Sequence, residues 1–131
     1  MKDKGIIYSK CLDFSVNITE LCRQLQGRGE YIISKQIIRS ATSMGANYSE
    51  ALGAESDLDF IHKISVSLKE THETQYWLDV LLRGRYIDEN CYNQLYLASE
   101  EIYKMMTASV LTVKRRLSQQ KVSQTSTASA T

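Results

Sequence analysis

Apolar residues recur three and four positions apart along most of this chain, which is the spacing of amphipathic helices. In the first stretch they stand at Cys11, Phe14, Ile18, Leu21 and Leu25, the seam of a helix that packs nearly parallel or antiparallel to its neighbours. Three further stretches show a similar period, and the chain has no proline to interrupt them. The pattern predicts helices over residues 9–26, 31–52, 56–83 and 88–117.

The breaks between these stretches are short and carry helix-ending residues. Residues 27–29 are Gly-Arg-Gly, residues 53–55 are Gly-Ala-Glu, and Gly84 follows the third stretch. Ser56 and Asp88 are placed to cap the third and fourth helices. Four helices joined by short turns predict an all-α fold, an antiparallel up-down-up-down four-helix bundle over residues 1–117. The Ser/Thr-rich residues 118–131 have no apolar period and are expected to be a disordered tail.

A polar stripe runs beside the apolar face on each of the two middle helices. The very short connection between them predicts neighbouring antiparallel helices, and this places Arg39 opposite Glu70. The stripes therefore predict a partly buried polar ladder that specifies helix register. A ligand or phosphate site at Arg39 and Asn47 is the functional alternative. The members of the ladder are Arg39, Ser43, Asn47 and Glu50 on the second helix and Lys63, Ser67, Glu70 and Thr74 on the third.

The middle of the second helix is rich in small residues. Residues 40–46 read Ser-Ala-Thr-Ser-Met-Gly-Ala, and a glycine such as Gly45 costs roughly 1 kcal/mol in a helix interior. A close approach by a neighbouring helix would explain why this cost is tolerated.

Apolar side chains also lie outside the core seams of the last two helices. A helix that is apolar most of the way round is usually buried most of the way round, so these positions predict contacts between copies of the chain in a homo-oligomer. Scattered exposed apolar residues on a monomer are the alternative. The predicted interface residues are Val66, Trp77 and Leu81 on the third helix and Tyr92, Tyr96 and Tyr103 on the fourth.

Charge bears on nucleic-acid binding. Sixteen basic and fifteen acidic side chains give a formal charge of +1, which argues against a protein built wholly around phosphates. The part of the chain after Glu101 nevertheless contains basic residues and no acidic ones. This stretch predicts a basic rim that binds RNA or DNA. Cations matched to a helix C-terminus are the alternative. The candidate rim residues are Lys104, Lys114, Arg115 and Arg116.

Cysteine spacing and hydropathy indicate the compartment. Cys11, Cys22 and Cys91 show no C-x-x-C spacing and stand on apolar helix faces, as buried free thiols in a reducing cytosol do. From the hydropathy pattern we expect neither a signal peptide nor a membrane span. A cytoplasmic protein with no membrane partner is expected.

No catalytic constellation is predicted. His62 and His72 project away from the core face in different directions, and no serine has a recognisable base beside it. Residues 59–62 read Asp-Phe-Ile-His, which is only loosely similar to the Glu-x-x-His pairs of di-metal bundles. Glycine-rich phosphate loops are missing. We therefore expect a non-enzymatic protein without metal or cofactor.

Three stretches resemble the bacterial four-helix-bundle family named for the 23S rRNA intervening-sequence protein. They are residues 36–51, with the run R-S-x-x-S-x-x-A-N-x-x-E-A, residues 56–63 and residues 68–78, within a similarity over roughly residues 6–117. The resemblance implies a small cytoplasmic bundle, commonly a ring-shaped homopentamer, with no established catalytic activity. The accessory protein of diversity-generating retroelements is similar in fold and binds nucleic acid and a reverse transcriptase through a strongly basic surface. This near-neutral chain departs from that charge pattern.

Two functional hypotheses follow. The first is a non-enzymatic oligomeric scaffold or interaction module whose tyrosine and tryptophan faces build the assembly. The second is an RNA- or DNA-binding accessory protein that works through the basic C-terminal rim.

Overall fold

The computed structural model describes the backbone of residues 3–130 and the side chains of residues 3–125, and four helices make up this part of the chain. Helix α1 spans Ile6–Gly27, α2 spans Ile32–Leu52, α3 spans Asp57–Arg83 and α4 spans Glu89–Ala130. The described backbone contains no strand. The predicted all-α class and the predicted number of helices are confirmed.

Both predicted helix caps are present. The Ser56 hydroxyl accepts a hydrogen bond from the backbone N–H of Asp59 at 3.1 Å, and the Asp88 carboxylate accepts one from the N–H of Cys91 at 2.8 Å. Each acceptor satisfies an N–H that has no partner within its helix. Local polar residues therefore determine where α3 and α4 begin.

Glu30 caps α2, a role that the sequence analysis did not assign. Its carboxylate accepts the backbone N–H groups of Ile32, Ile33 and Ser34 at 2.8–3.0 Å. Desolvation alone would raise the pKa of Glu30, but the hydrogen bonds outweigh it and hold the pKa below its ordinary value.

The helices form a square arrangement in which each packs against its neighbours in the chain and α4 closes against α1. No close backbone contact joins the diagonal pairs, α1 with α3 or α2 with α4, within the described residues. Contacts between neighbours match residues in reverse order, as where Asp79 meets Tyr92 and Gln75 meets Ser99. Such reversed pairing is that of an up-down-up-down bundle.

The core lies along the bundle axis and receives large side chains from every helix. Phe14, Met44, Leu78 and Ile102 are almost completely buried there. Gly45 lies where α2 approaches α1, and a Cβ atom at this position would stand 3.3 Å from the Cβ of Cys11. The predicted close helix approach is therefore present, with α1 as the partner.

Helix α4 does not end near Leu117, as the sequence analysis expected, but continues to Ala130. The stretch beyond Leu117 contains no proline or glycine to stop a helix, whereas the lost apolar period only removes its packing. Val113 is buried, Leu117 is half-buried, and every side chain in residues 118–125 is exposed. The predicted helix boundary was wrong, and disorder of residues 118–131 in solution stays a prediction.

Candidate functional site

The charged members of the polar ladder lie at its solvent edge. Arg39 meets Glu70 at 3.4 Å, as predicted, and also pairs with Glu73. Lys63 pairs with Glu50 at 2.9 Å, and this contact raises the pKa of Lys63. The Arg39 side chain is 49% exposed, so water and salt screen its ion pairs.

The buried part of the ladder consists of hydroxyl groups. Ser67 of α3 donates a hydrogen bond to the backbone carbonyl of Met44 in α2. The Thr74 hydroxyl lies 2.8 Å from that of Ser40, a residue that the sequence analysis left out of the ladder. Ser40, Ser67 and Thr74 are fully buried, so these contacts specify the register of α2 against α3 in the absence of water.

Two predicted members do not reach across to α3. The Asn47 amide donates to the backbone carbonyl of Ser43 at 2.8 Å and to its hydroxyl at 3.2 Å, both within α2. Asn47 is engaged with Ser43 while Arg39 pairs with glutamates of α3, so the two side chains have different partners. The alternative of a ligand or phosphate site at Arg39 and Asn47 stays a prediction.

A second polar connection, between α3 and α4, was missed by the sequence analysis. The buried Gln75 amide donates to the Ser99 hydroxyl at 3.0 Å and to the Glu100 carboxylate at 2.7 Å. A glutamine at an apolar position of the helical period was the signal that could have revealed it.

The tyrosine row of α4 faces α3 within the same chain. Tyr92 donates a hydrogen bond to the Asp79 carboxylate at 2.6 Å, and this bond raises the pKa of Tyr92 to about 12. Tyr96 lies beside Tyr92, with ring centroids 5.3 Å apart. Tyr103 contacts the His72 ring edge-on at 4.8 Å. All three tyrosines are half-buried and make contacts within their own chain.

The predicted interface residues of α3 divide into two kinds. Leu81 is fully buried in the core of its own chain, so its predicted place between copies was wrong. The structure rotates α3 so that Leu81 shares the inner face with Leu78. Val66 and Trp77 are half-buried, and the indole N–H of Trp77 has no hydrogen-bond acceptor among the described residues.

The basic rim is exposed but partly neutralised. Lys104, Lys114 and Arg115 reach solvent, whereas Arg116 pairs with Asp57 at the start of α3, at 2.9 Å. The pair leaves the rim with fewer unpartnered cations than the sequence suggests.

The three cysteine thiols have low reactivity. Cys11, Cys22 and Cys91 are unpaired, and burial raises the pKa of Cys11 to about 12 and that of Cys22 to about 11. Burial likewise raises the pKa of Cys91, so these cysteines are protonated and poorly nucleophilic near neutral pH.

In the part of the chain that the structure describes, His, Cys, Asp and Glu side chains nowhere gather into a group of three that could bind a metal ion. No helix there has the length and apolar character needed to cross a membrane.

Comparison with known proteins identifies the family. The sequence model of the 23S rRNA-intervening sequence protein family matches residues 3–108, which span α1, α2, α3 and the first part of α4. This chain belongs to that family. A crystal structure of a protein of unknown function from the S23 ribosomal protein family of Bacteroides thetaiotaomicron is 40% identical, with a TM-score of 0.78 over 80% of this chain and 98% of that chain. No functionally curated protein matches.

The family match covers all the residues that carry the polar ladder. It ends at residue 108, before Lys114, Arg115 and Arg116 of the basic rim. Membership in the 23S rRNA-intervening sequence protein family therefore bears on the bundle and its buried hydroxyl contacts more than on the rim.

Proposed function

We propose that this member of the family is a non-enzymatic scaffold or interaction module that acts in the cytoplasm and assembles from copies of itself, as a ring-shaped homopentamer. The groove between α1 and α2 carries the proposal. It has a volume of about 250 Å³ and is lined by Leu12 and Ser15 of α1 and by Gly45 and Ala46 of α2, among others. Because Gly45 brings the two helices together, the groove floor is backbone and small side chains.

An apolar row borders this groove. Tyr8, Leu12 and Val16 stand four residues apart along α1, and Leu12 and Val16 are exposed. A contiguous apolar surface beside a concave groove is typical of a protein–protein contact. The occupant that we propose is a second copy, which offers Leu97 and Leu111 on the outward face of α4. These two leucines are exposed and lie fourteen positions apart, on the same side of that helix.

The proposed role involves no catalysed reaction. The cysteines are protonated, and His62 and His72 lie at exposed positions of α3, where His72 contacts a tyrosine ring. His72 has the ring contact of a structural side chain, and an interaction surface accounts for the exposed apolar residues.

The test is the mass of the protein in solution, measured by light scattering and native mass spectrometry. We expect an oligomer for the wild type and a smaller species for Val16→Glu, because the new carboxylate would be buried without a partner. Val122→Glu is the matched control, since Val122 and Val16 are 68% and 65% exposed and Val122 lies far along α4. A monomeric wild type, or equal dissociation by both variants, would contradict the proposal.

A further inference from the structure

One sequence motif occurs twice, in the two turns at the same end of the bundle. Residues 28–32 are Arg-Gly-Glu-Tyr-Ile, between α1 and α2, and residues 83–87 are Arg-Gly-Arg-Tyr-Ile, between α3 and α4. The two turns touch, because the Arg28 guanidinium donates a hydrogen bond to the backbone carbonyl of Tyr86 at 2.9 Å. We call this surface the arginine–tyrosine end, defined by Arg28, Tyr31, Arg85 and Tyr86.

A cleft opens at this end. It has a volume of about 570 Å³, with Arg28, Arg85 and Tyr86 beside apolar walls from Leu21 and Ile87. A second concavity of about 330 Å³ shares Arg28 and Tyr86 with it and adds Tyr31. Together they make a continuous surface large enough for more than one ring-sized group.

The arginines keep most of their donors available. Arg28 uses one guanidinium nitrogen on Tyr86, and none of the ion pairs formed by residues 3–125 involves Arg28, Arg83 or Arg85. A guanidinium has five N–H donors that match the geometry of a phosphate.

Three carboxylates share this end of the bundle: Asp88 and Glu89 line the larger cavity and Glu30 lines the smaller one. Two of them are engaged at helix N-termini. Glu30 accepts three backbone N–H groups of α2, and Asp88 accepts the N–H of Cys91 in α4. Glu89 lies in the first turn of α4, where the helix dipole offsets its charge. These carboxylates therefore oppose an incoming phosphate less than their number suggests.

Two tyrosine rings flank the arginines. Tyr31 is 54% exposed and Tyr86 is 42% exposed, so each presents part of its ring to solvent. Surfaces that bind single-stranded nucleic acid combine basic side chains along the phosphate backbone with aromatic side chains on which the bases stack.

We propose that the arginine–tyrosine end binds single-stranded nucleic acid, with Arg28 and Arg85 on phosphates and Tyr31 and Tyr86 stacked against bases. This site is distinct from the C-terminal rim, because Arg116 pairs with Asp57 at the opposite end of the bundle. It is also independent of the scaffold proposal, since Val16 and Leu12 take no part in it.

Arg85 can be replaced by glycine without straining the backbone. Its φ is +64°, a conformation that glycine adopts freely and other residues rarely do. Arg85→Gly therefore removes the charge in a form that the backbone prefers, and lost binding in this variant would not reflect a damaged fold.

The experiment is fluorescence anisotropy with a labelled 12-nucleotide single strand, in RNA and DNA forms, titrated with the full chain at several salt concentrations. We expect Arg85→Gly to weaken binding about tenfold at low salt and to reduce the slope of log Kd against log salt by about 0.7, the value for one phosphate contact on a single strand. Tyr31→Ala should weaken binding about five- to a hundredfold by removing one stacked base.

Matched controls are available on other surfaces. Tyr76→Ala removes a tyrosine that is 58% exposed on α3, and the pair Lys114→Ala with Arg115→Ala removes two rim cations; both should leave affinity unchanged. The proposal is overturned if the wild type fails to bind at low salt, or if the rim variant alone loses binding. Competition by free AMP at concentrations near the oligonucleotide Kd would assign the site to mononucleotides and would overturn it as well.

Discussion

Two buried threonines on α3 allow the contribution of a single hydroxyl between helices to the free energy of unfolding to be measured. Thr71 donates to the Ser67 carbonyl within its own helix, whereas Thr74 also meets Ser40 of α2. Both are fully buried, and valine has nearly the same shape as threonine. Thr74→Val should therefore lower the free energy of unfolding by about 1–2 kcal/mol, because Ser40 loses its partner from α3.

Thr71→Val is the control for this comparison. It removes only a bond within the helix, so we expect a change below about 0.5 kcal/mol. Urea unfolding of the two variants and the wild type measures both values. Equal losses would show that the contact between Thr74 and Ser40 does not contribute to stability.

Tyr92 predicts how stability depends on alkaline pH. Hydrogen bonding to Asp79, followed by desolvation, raises the pKa of Tyr92 from 10 to about 12 in the folded chain. The neutral phenol is the form favoured by folding, so this contribution is complete below pH 10 and is lost as the pH rises from 10 to 12. Thermal melts across that range should show the wild type losing stability.

The variant Asp79→Ala removes the acceptor and its charge. Its stability should fall less between pH 10 and 12, and the absorbance titration of its tyrosinates should lose one late-titrating phenol, while burial still raises the pKa of Tyr48. Tyr92→Phe should show the same loss in the titration. A wild type in which all tyrosines titrate together near pH 10 would contradict the assignment.

At the scale of the helices, the approach of α1 to α2 depends on a missing side chain. A Cβ at Gly45 would stand 3.3 Å from that of Cys11, so a branched side chain has no room between the two backbones. Gly45→Val should lower the free energy of unfolding by about 1–3 kcal/mol through overpacking. Circular dichroism during thermal unfolding measures this loss.

Gln36 provides the control. It is exposed in the same helix and does not line the groove between α1 and α2, so Gln36→Val should cost only the helix propensity of valine, below about 1 kcal/mol. If both variants were equally stable, the close packing at Gly45 would not be required.

Sequence reasoning located the helices because the signals for their ends are local. Ser56, Asp88 and the glycine-containing breaks each act within one turn, and the short connection between α2 and α3 determined that Arg39 faces Glu70. The sequence cannot show how far each helix is rotated about its own axis. That rotation placed Leu81 in the core and turned Asn47 towards Ser43.

The rotation of each helix also decides how deeply each member of the polar ladder is buried. From the sequence, Arg39 and Thr74 are equivalent members of a polar stripe. In the structure, Arg39 is half-exposed and Thr74 is fully buried. Ion pairs at an exposed position contribute about 0–1 kcal/mol, so the hydroxyls of the ladder matter more to register than its charges do.

The whole molecule extends beyond its packed core at one end of α4. The last buried side chain of that helix is Val113 among the residues described, and the side chains of residues 118–125 are all exposed. Helix without tertiary packing is only marginally stable in water, particularly in a stretch rich in serine and threonine. Deleting residues 118–131 should therefore shift the Tm by no more than about 1 °C, equivalent to a few tenths of a kcal/mol.

Hydrogen exchange on the intact chain separates two accounts of this segment. Amides in residues 118–125 should exchange rapidly while those around Ile102 stay protected, because only the latter belong to the packed bundle. If the deletion lowered the Tm by several degrees and the segment's amides were protected, something must pack against it. A second copy of the chain would then be the natural candidate, and the mass of the truncated protein, compared with that of the intact one, would decide whether α4 contributes to assembly.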